Sequence, residues 1–167
     1  MEKDSKDKFV FDTSALISLG IASLIDKVLQ ICQIVVSRSV IEELQEFAKF
    51  NDKYGNVAKE VLRFKEVFSI FDVEVKEKRL YISETDNELY NLAKEKAIPL
   101  ITDDIKLSRH VNKSIATYFS TYLLTALVLS GTISKEKALE LLEQMKENRN
   151  WRNNIIYILS KIEIENL

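Results

Sequence analysis

Cysteine, histidine, proline and glycine are all scarce in this sequence. Its 167 residues include one cysteine, Cys32, which excludes an internal disulfide and any cysteine-based zinc site. One histidine, His110, excludes a multi-histidine metal site as well. Only oxygen ligands remain, so any metal here is expected to be Mg²⁺ or Mn²⁺ rather than Zn²⁺. With 3 Gly and 1 Pro, long irregular segments and all-β architectures are disfavoured. Neither the glycine-rich dinucleotide fingerprint nor the P-loop motif occurs, which argues against nucleotide binding of those kinds. There is no long apolar run and no N-terminal secretory pattern, so the expectation is a soluble, cytoplasmic protein with no membrane partner. A net charge of −2 and the lack of a long basic run give no global pull toward nucleic acid, although a local patch can suffice.

What is present is enough for one core. The chain is 46% hydrophobic and 30% charged, which fits a single domain over residues 8–167 after a flexible, polar start at residues 1–7. That domain is organised around Phe9-Val10-Phe11-Asp12-Thr13-Ser14-Ala15-Leu16-Ile17-Ser18-Leu19. Three apolar β-formers run into an aspartate, then two hydroxyl residues, then a helical pattern. The stretch reads as a buried strand at residues 8–12 that turns directly into a helix. In parallel α/β sheets, ligands bind at the carboxyl ends of the strands, which makes Asp12 a candidate for chemistry.

The periodicity predicts one helix over residues 14–30, with Gly20 a candidate break. A second strand follows at Ile34-Val35-Val36. Ser39 to Glu42 has the form of a capping box for a helix carrying Glu42 and Glu43 in its first turn. Residues 51–56 read as a loop and about 57–69 as a helix. Residues 70–76 fit either an edge strand or an extended connection. Ser83 to Asp86 opens the next helix, which Pro99 ends. Leu100-Ile101-Thr102 is a short buried strand with Asp103-Asp104 at its end, and a helix starts at Ile105. A last strand is expected at 113–117, followed by helices from about 119, from 134, and from Trp151 to Ile164. Strands alternating with helices imply an α/β/α arrangement: a mainly parallel, Rossmann-like sheet at residues 8–117 and a helical extension at 118–167.

Four places put an acid just past a strand or in the first turn of a helix: Asp12, Glu42-Glu43, Asp86 and Asp103-Asp104. Each has an ordinary explanation, because helix N-termini favour carboxylates that accept orphan N–H groups. That explanation is weaker at Asp12, where Thr13 and Ser14 offer caps of their own. It is also awkward for Asp103-Asp104, where one acid caps (Asp103, before a helix from 104) and two repel unless a cation sits between them. Acids converging at one sheet edge can hold one or two Mg²⁺ or Mn²⁺ ions, and two such ions promote phosphodiester cleavage without histidine or cysteine.

At this point the residues resemble a known family. Val10-Phe11-Asp12-Thr13-Ser14-Ala15-Leu16-Ile17 is similar to the opening signature of PIN-domain nucleases, and Val40-Ile41-Glu42-Glu43-Leu44 to their second motif. The resemblance selects Glu43, the acid before the leucine. Asp86 stands where the family has its third acid, although Asn87 and Glu88 follow it in place of small apolar residues. Glu84 or Glu88 is a candidate to share its place. Leu100-Ile101-Thr102-Asp103-Asp104 resembles the family's Thr-x-Asp motif and selects Asp104, with Asp103 as a helper. The order of motifs matches over residues 8–117. The resemblance implies a PIN-like fold and a Mg²⁺- or Mn²⁺-dependent ribonuclease. Its catalytic acids are Asp12, Glu43, Asp86 and Asp104, with Asp103 joining them as metal ligand. It further implies RNA as partner, a homodimer, and for many members a small antitoxin that neutralises a VapC-type toxin. This chain departs from typical toxins in the helical residues after its fourth motif, and is closer to PIN subfamilies with a helical C-terminal extension.

Thr13, Ser14 and Thr102 are candidates for orienting the acids. Lys106, Arg109 and Lys113, just after Asp104, are candidates for RNA-backbone contacts, with a plain solvated face as the competing reading. His110 reads as a surface histidine, and Trp151 and the tyrosines near 118–122 as packing. A PIN-fold nucleic-acid-binding or protein-interaction module with weak catalysis is the second reading of function. A phosphate-handling receiver-like domain ranks below both.

Overall fold

A computed structural model describes residues 6–167. The start expected to be flexible lies mostly outside these described residues, and its last member, Asp7, already belongs to a strand. Five strands form one sheet: β1 (Asp7–Phe11), β2 (Cys32–Ser37), β3 (Ser69–Phe71), β4 (Leu100–Ile101) and β5 (Thr117–Tyr118). They lie in the order β3-β2-β1-β4-β5, and every neighbouring pair is parallel. Helices flank the sheet, giving a PIN-like α/β fold. Val10, Phe11, Ile34, Val35 and Val36 are all buried, on alternating sides of their strands. A strand buried on both faces reads as a continuous apolar run, which is why β1 and β2 were visible in the sequence.

Strand order reverses between β1 and β4. The chain leaves β1 toward β2 on one side, and β4 returns on the other. Such a switch point opens a crevice beyond the strand ends. The register sets Phe11 beside Ile101, so Asp12 and Thr102 leave the sheet side by side. Asp12 N–H donates to Ile101 O at 3.2 Å, just past the last pair.

Several boundaries differ from expectation. The helix foreseen over 14–30 is two: α1 (Thr13–Ile21) and α2 (Ile25–Ile31), bent by 113°. The break falls at Ser23, which takes a left-handed φ of 52°, rather than at Gly20. Gly20 has a different reason to be glycine. A Cβ there would meet Val57 Cγ1 and Val61 Cγ2, each at 2.7 Å, so glycine lets the next helices pack close. Those helices are α3 (Arg38–Ala48) and α4 (Lys53–Leu62). The capping box expected at Ser39 does not form: Ser37 holds the N-cap position, and Ser39 Oγ donates instead to Glu88 Oε2 at 2.6 Å. The loop read at 51–56 contains the start of α4, capped by Asp52, whose carboxylate accepts from Gly55 N–H at 2.8 Å. At 70–76 both readings hold in part: Ile70 and Phe71 belong to an edge strand, β3, and residues 72–76 form a connection outside the sheet.

The next helix, α5 (Glu84–Lys96), carries the expected capping box between Ser83 and Asp86. It is followed by α6 (Ile105–Val111). The C-terminal helices are α7 (Tyr122–Leu129), α8 (Lys135–Arg149) and α9 (Ile155–Glu165). Trp151, expected to open α9, instead lies buried before it. α8 buries Ala138, Leu141, Leu142 and Met145 and packs on α1 and α7. One buried cluster runs from Phe9 through Met145 and Trp151 to Ile164, so these helices share the core of the sheet. Among the described residues no single helix is long and apolar enough to cross a membrane.

Candidate active site

Asp12 is itself the cap of α1. Its Oδ1 accepts from Ala15 N–H at 2.7 Å, so the spare capping residues Thr13 and Ser14 are free for other bonds. Ser14 Oγ donates to Asp12, 2.8 Å from Oδ2, and accepts from Asp103 N–H at 3.0 Å. Thr102 Oγ1 donates to Asp12 Oδ2 at 2.5 Å and accepts from Asp104 N–H at 3.0 Å. Two hydroxyls therefore tie the end of β1 to the loop after β4. Thr13 Oγ1 donates to Glu43 Oε2 at 2.5 Å and fastens α3 to the same corner.

A cavity of about 340 Å³ opens there, lined by Asp12, Thr13, Ser14, Glu43, Asp86 and Asp104 together with Phe47, Tyr54, Thr85, Leu89 and Arg149. The four acids come from four segments. Asp104 caps α6 through Lys106 N–H at 2.7 Å and Leu107 N–H at 3.1 Å, both on Oδ1. Asp86 Oδ2 accepts from Ser83 N–H at 3.1 Å. Capping thus accounts for Asp12, Asp86 and Asp104 one at a time. Glu43, in the middle of α3, caps nothing. Among the described residues, Glu43 Oε1, Asp86 Oδ1 and Asp104 Oδ2 have no hydrogen-bond donor.

Burial pushes the Asp12 carboxyl up to about 7, against the hydrogen bonds from Thr102, Ala15 and Ser14 that favour its charge. An acid held in this way gains from any cation that enters. Asp103 is also raised by burial, opposed first by the Ser18 hydroxyl, then by hydrogen bonds from Ser120 and by the nearby Arg149 charge.

Asp103 does not line the cavity, contrary to its proposed role as ligand or as cap of the following helix. Its Oδ1 accepts from Ser120 N–H at 2.8 Å and its Oδ2 from Ser120 Oγ at 2.7 Å, buried against the start of α7. Two adjacent acids avoid repulsion because Asp104 points to a helix terminus and Asp103 to Ser120. Lys106, Arg109 and Lys113 are exposed and line no part of the cavity. His110 stacks on Tyr81 with ring centroids 6.3 Å apart. The cation at the site is one that sequence reasoning missed, Arg149. Its local signal was only that of a basic residue in a helix's last turn.

The donor set suits a hard cation: carboxylate oxygens with free lone pairs and neither sulfur nor imidazole. Among the described residues no three of His, Cys, Asp and Glu are grouped to hold a metal ion, so the expected ligand set is not assembled as a closed shell. The reason is local: each carboxylate is already turned onto a helix N–H or a hydroxyl. Mg²⁺ is commonly bound by one or two carboxylates plus waters and substrate phosphate, and Asp12 with Asp104, linked through Thr102, fits that more open mode.

A family model described as a PIN domain matches residues 8–162. Among solved structures, PAE2754 from Pyrobaculum aerophilum is similar with a TM-score of 0.57 and 16% identity, covering 74% of this chain and 98% of that one. It shows a shared fold. A domain of a functionally unknown protein from Methanocaldococcus jannaschii DSM 2661 is 25% identical with a TM-score of 0.49, over 68% of this chain and 90% of that one. VapBC2 from Rickettsia felis, solved with a DNA fragment from its promoter, is 17% identical with a TM-score of 0.49, over 67% of this chain and 98% of that one. No curated protein matches the sequence.

Proposed function

The chain belongs to the PIN-domain family, and from that premise we propose that it is a metal-dependent ribonuclease acting at the Asp12 cavity. One observation carries the reading: Asp12, Glu43, Asp86 and Asp104 meet at a single cavity at the switch point of the sheet. Capping explains three of these acids but not their convergence.

Mg²⁺ or Mn²⁺ would be held by Asp12 and Asp104, with Glu43 and Asp86 available to a second ion or to bound water. When bound, the metal supplies charge neutralisation for the phosphate and a more acidic water. The chain's own residues do the rest. Thr102 and Ser14 fix the Asp12 carboxylate, and Thr13 fixes Glu43. A cavity carboxylate accepts the proton of the attacking water. The water oxygen bonds to phosphorus as the bond to the 3′-oxygen breaks, leaving a 5′-phosphate, and the departing 3′-oxygen takes a proton from solvent to become a 3′-hydroxyl.

A second reading, a binding module of this fold with weak catalysis, is favoured by the lack of a closed three-ligand group among the described residues. Cleavage of single-stranded and structured RNA in Mn²⁺ separates the two. The nuclease reading expects cleavage that stops in EDTA and in Asp12→Asn and Asp104→Asn. Cleavage that survives EDTA or both substitutions overturns it. A cytoplasmic location, a homodimer and a small antitoxin partner belong to the same proposal. Growth arrest on expression, relieved by a small co-expressed protein, tests the last of these.

A further inference from the structure

One cation stands among the acids. Among the described residues lining the cavity, Arg149 alone is a lysine or arginine. It is the last residue of α8 and comes from the C-terminal extension rather than from the sheet and its first helices.

Its charge lies near enough to the buried Asp103 carboxyl to favour that acid's ionised form, yet among the described residues its guanidinium makes no hydrogen bond. Arg149 Nε is buried and has no hydrogen-bond partner. It enters none of the ion pairs among the described residues. A buried donor without an acceptor is costly unless a ligand supplies one. Service as an ordinary helix-end cation is not what the contacts show. The Lys146 carbonyl, near the end of α8, is taken by Trp151 N–H at 2.9 Å, and no described acceptor receives Arg149.

The end of α8 is also clamped in position. The Tyr54 hydroxyl and Lys53 Nζ donate to Asn148 O at 3.0 and 2.9 Å. Arg149 Cζ lies 5.9 Å from the centre of the Tyr54 ring. Asn150 closes the helix in the left-handed region, with φ of 58°, and buried Trp151 follows. The extension is therefore stapled to the N-terminus of α4, with its arginine in the lining of the acid cavity.

Four carboxylates repel an RNA strand, so productive binding needs positive charge on the phosphate side. A guanidinium presents forked donors that match two phosphate oxygens, which a lysine ammonium does not. We propose that Arg149 is the phosphate-binding residue of this site, receiving non-bridging oxygens of the RNA phosphodiester at or beside the scissile bond. The C-terminal extension then completes the site rather than only covering the core. The placement at the scissile bond rests on the nuclease reading; the phosphate contact does not.

The test separates the two. Anisotropy of a short fluorescein-labelled single-stranded RNA is measured on Asp104→Asn, where the nuclease reading expects no turnover, with and without Arg149→Gln, over a range of salt. The double variant should bind about tenfold more weakly, with a salt slope shallower by about one contact. Arg149→Lys should recover part of the affinity but not the kcat of the wild type, because it restores charge without the fork. Melting curves guard against misfolding, and if Arg149→Gln melts early the comparison is made with Arg149→Lys. Equal affinity and equal slope overturn the assignment, as does a lack of measurable binding by Asp104→Asn itself. Cleavage by the wild type without a binding defect in the variant refutes Arg149 and leaves the nuclease reading standing. A binding defect in a chain that cleaves nothing does the reverse.

Discussion

Thr102 Oγ1 donates to Asp12 Oδ2 at 2.5 Å, joining two residues that are 90 positions apart in sequence. Through the same oxygen Thr102 accepts from Asp104 N–H at 3.0 Å. One buried hydroxyl thus sets the spacing of the two acids proposed to hold the metal. Thr102→Val keeps the shape and removes the link. It should lower kcat at least about tenfold and cost about 1–3 kcal/mol of stability, since a buried acceptor loses its donor. Thr102→Ser should keep most of both. Paired RNA-cleavage assays and denaturant melts check this; equal kcat in Thr102→Val and wild type would contradict it.

Without divalent ions, Asp12 should make stability fall as pH rises. Its carboxyl is raised from 3.8 to about 7, chiefly by burial. The folded state therefore prefers the protonated acid. This contribution is fully present below the unfolded value near pH 4 and is lost as pH passes through about 7. At full size it corresponds to about 4 kcal/mol. Asp12→Asn removes the charge, so in EDTA it should be more stable than the wild type at pH 8 and about equal to it at pH 4. Added Mn²⁺ should stabilise only the wild type. Thermal melts of both proteins across pH, with and without Mn²⁺, read the difference directly.

Asp103 and its neighbour should separate cleanly. Asp103 is bonded to Ser120 N–H and Oγ, away from the cavity. Asp103→Ala should cost about 1–3 kcal/mol by leaving the Ser120 groups unpaired, with kcat largely kept in whatever fraction folds. Asp104→Asn should do the opposite, losing kcat with little loss of stability. Activity per folded molecule, taken from parallel melts and cleavage assays, distinguishes them. Loss of kcat in Asp103→Ala at full folding would return it to the ligand set.

The parts of the fold that were legible depended on local pattern. β1 was visible because three apolar residues run into an acid, and the parallel sheet because strand and helix periods alternate. The Ser83–Asp86 capping box formed because both partners are local. The matching pattern at Ser39 failed because Glu88, on a helix 49 residues away, claims the hydroxyl. Gly20 read as a helix break because nothing in its neighbourhood announces Val57 and Val61. The site was legible in its acids and illegible in its cation. Arg149 reaches the cavity only through the clamp between α8 and α4, which is a property of packing. Asp103 was misjudged for the same reason, since Ser120 meets it across a strand and a turn.

Four acids that converge on one cavity should bind a divalent cation. Isothermal titration of Mn²⁺ into the metal-stripped chain at pH 7.5 tests it most directly. Saturable binding is expected, abolished in Asp12→Asn and in Asp104→Asn and unchanged in Asp103→Asn. Mn²⁺ binding of equal strength in the wild type, Asp12→Asn and Asp104→Asn, or none in the wild type, would contradict it.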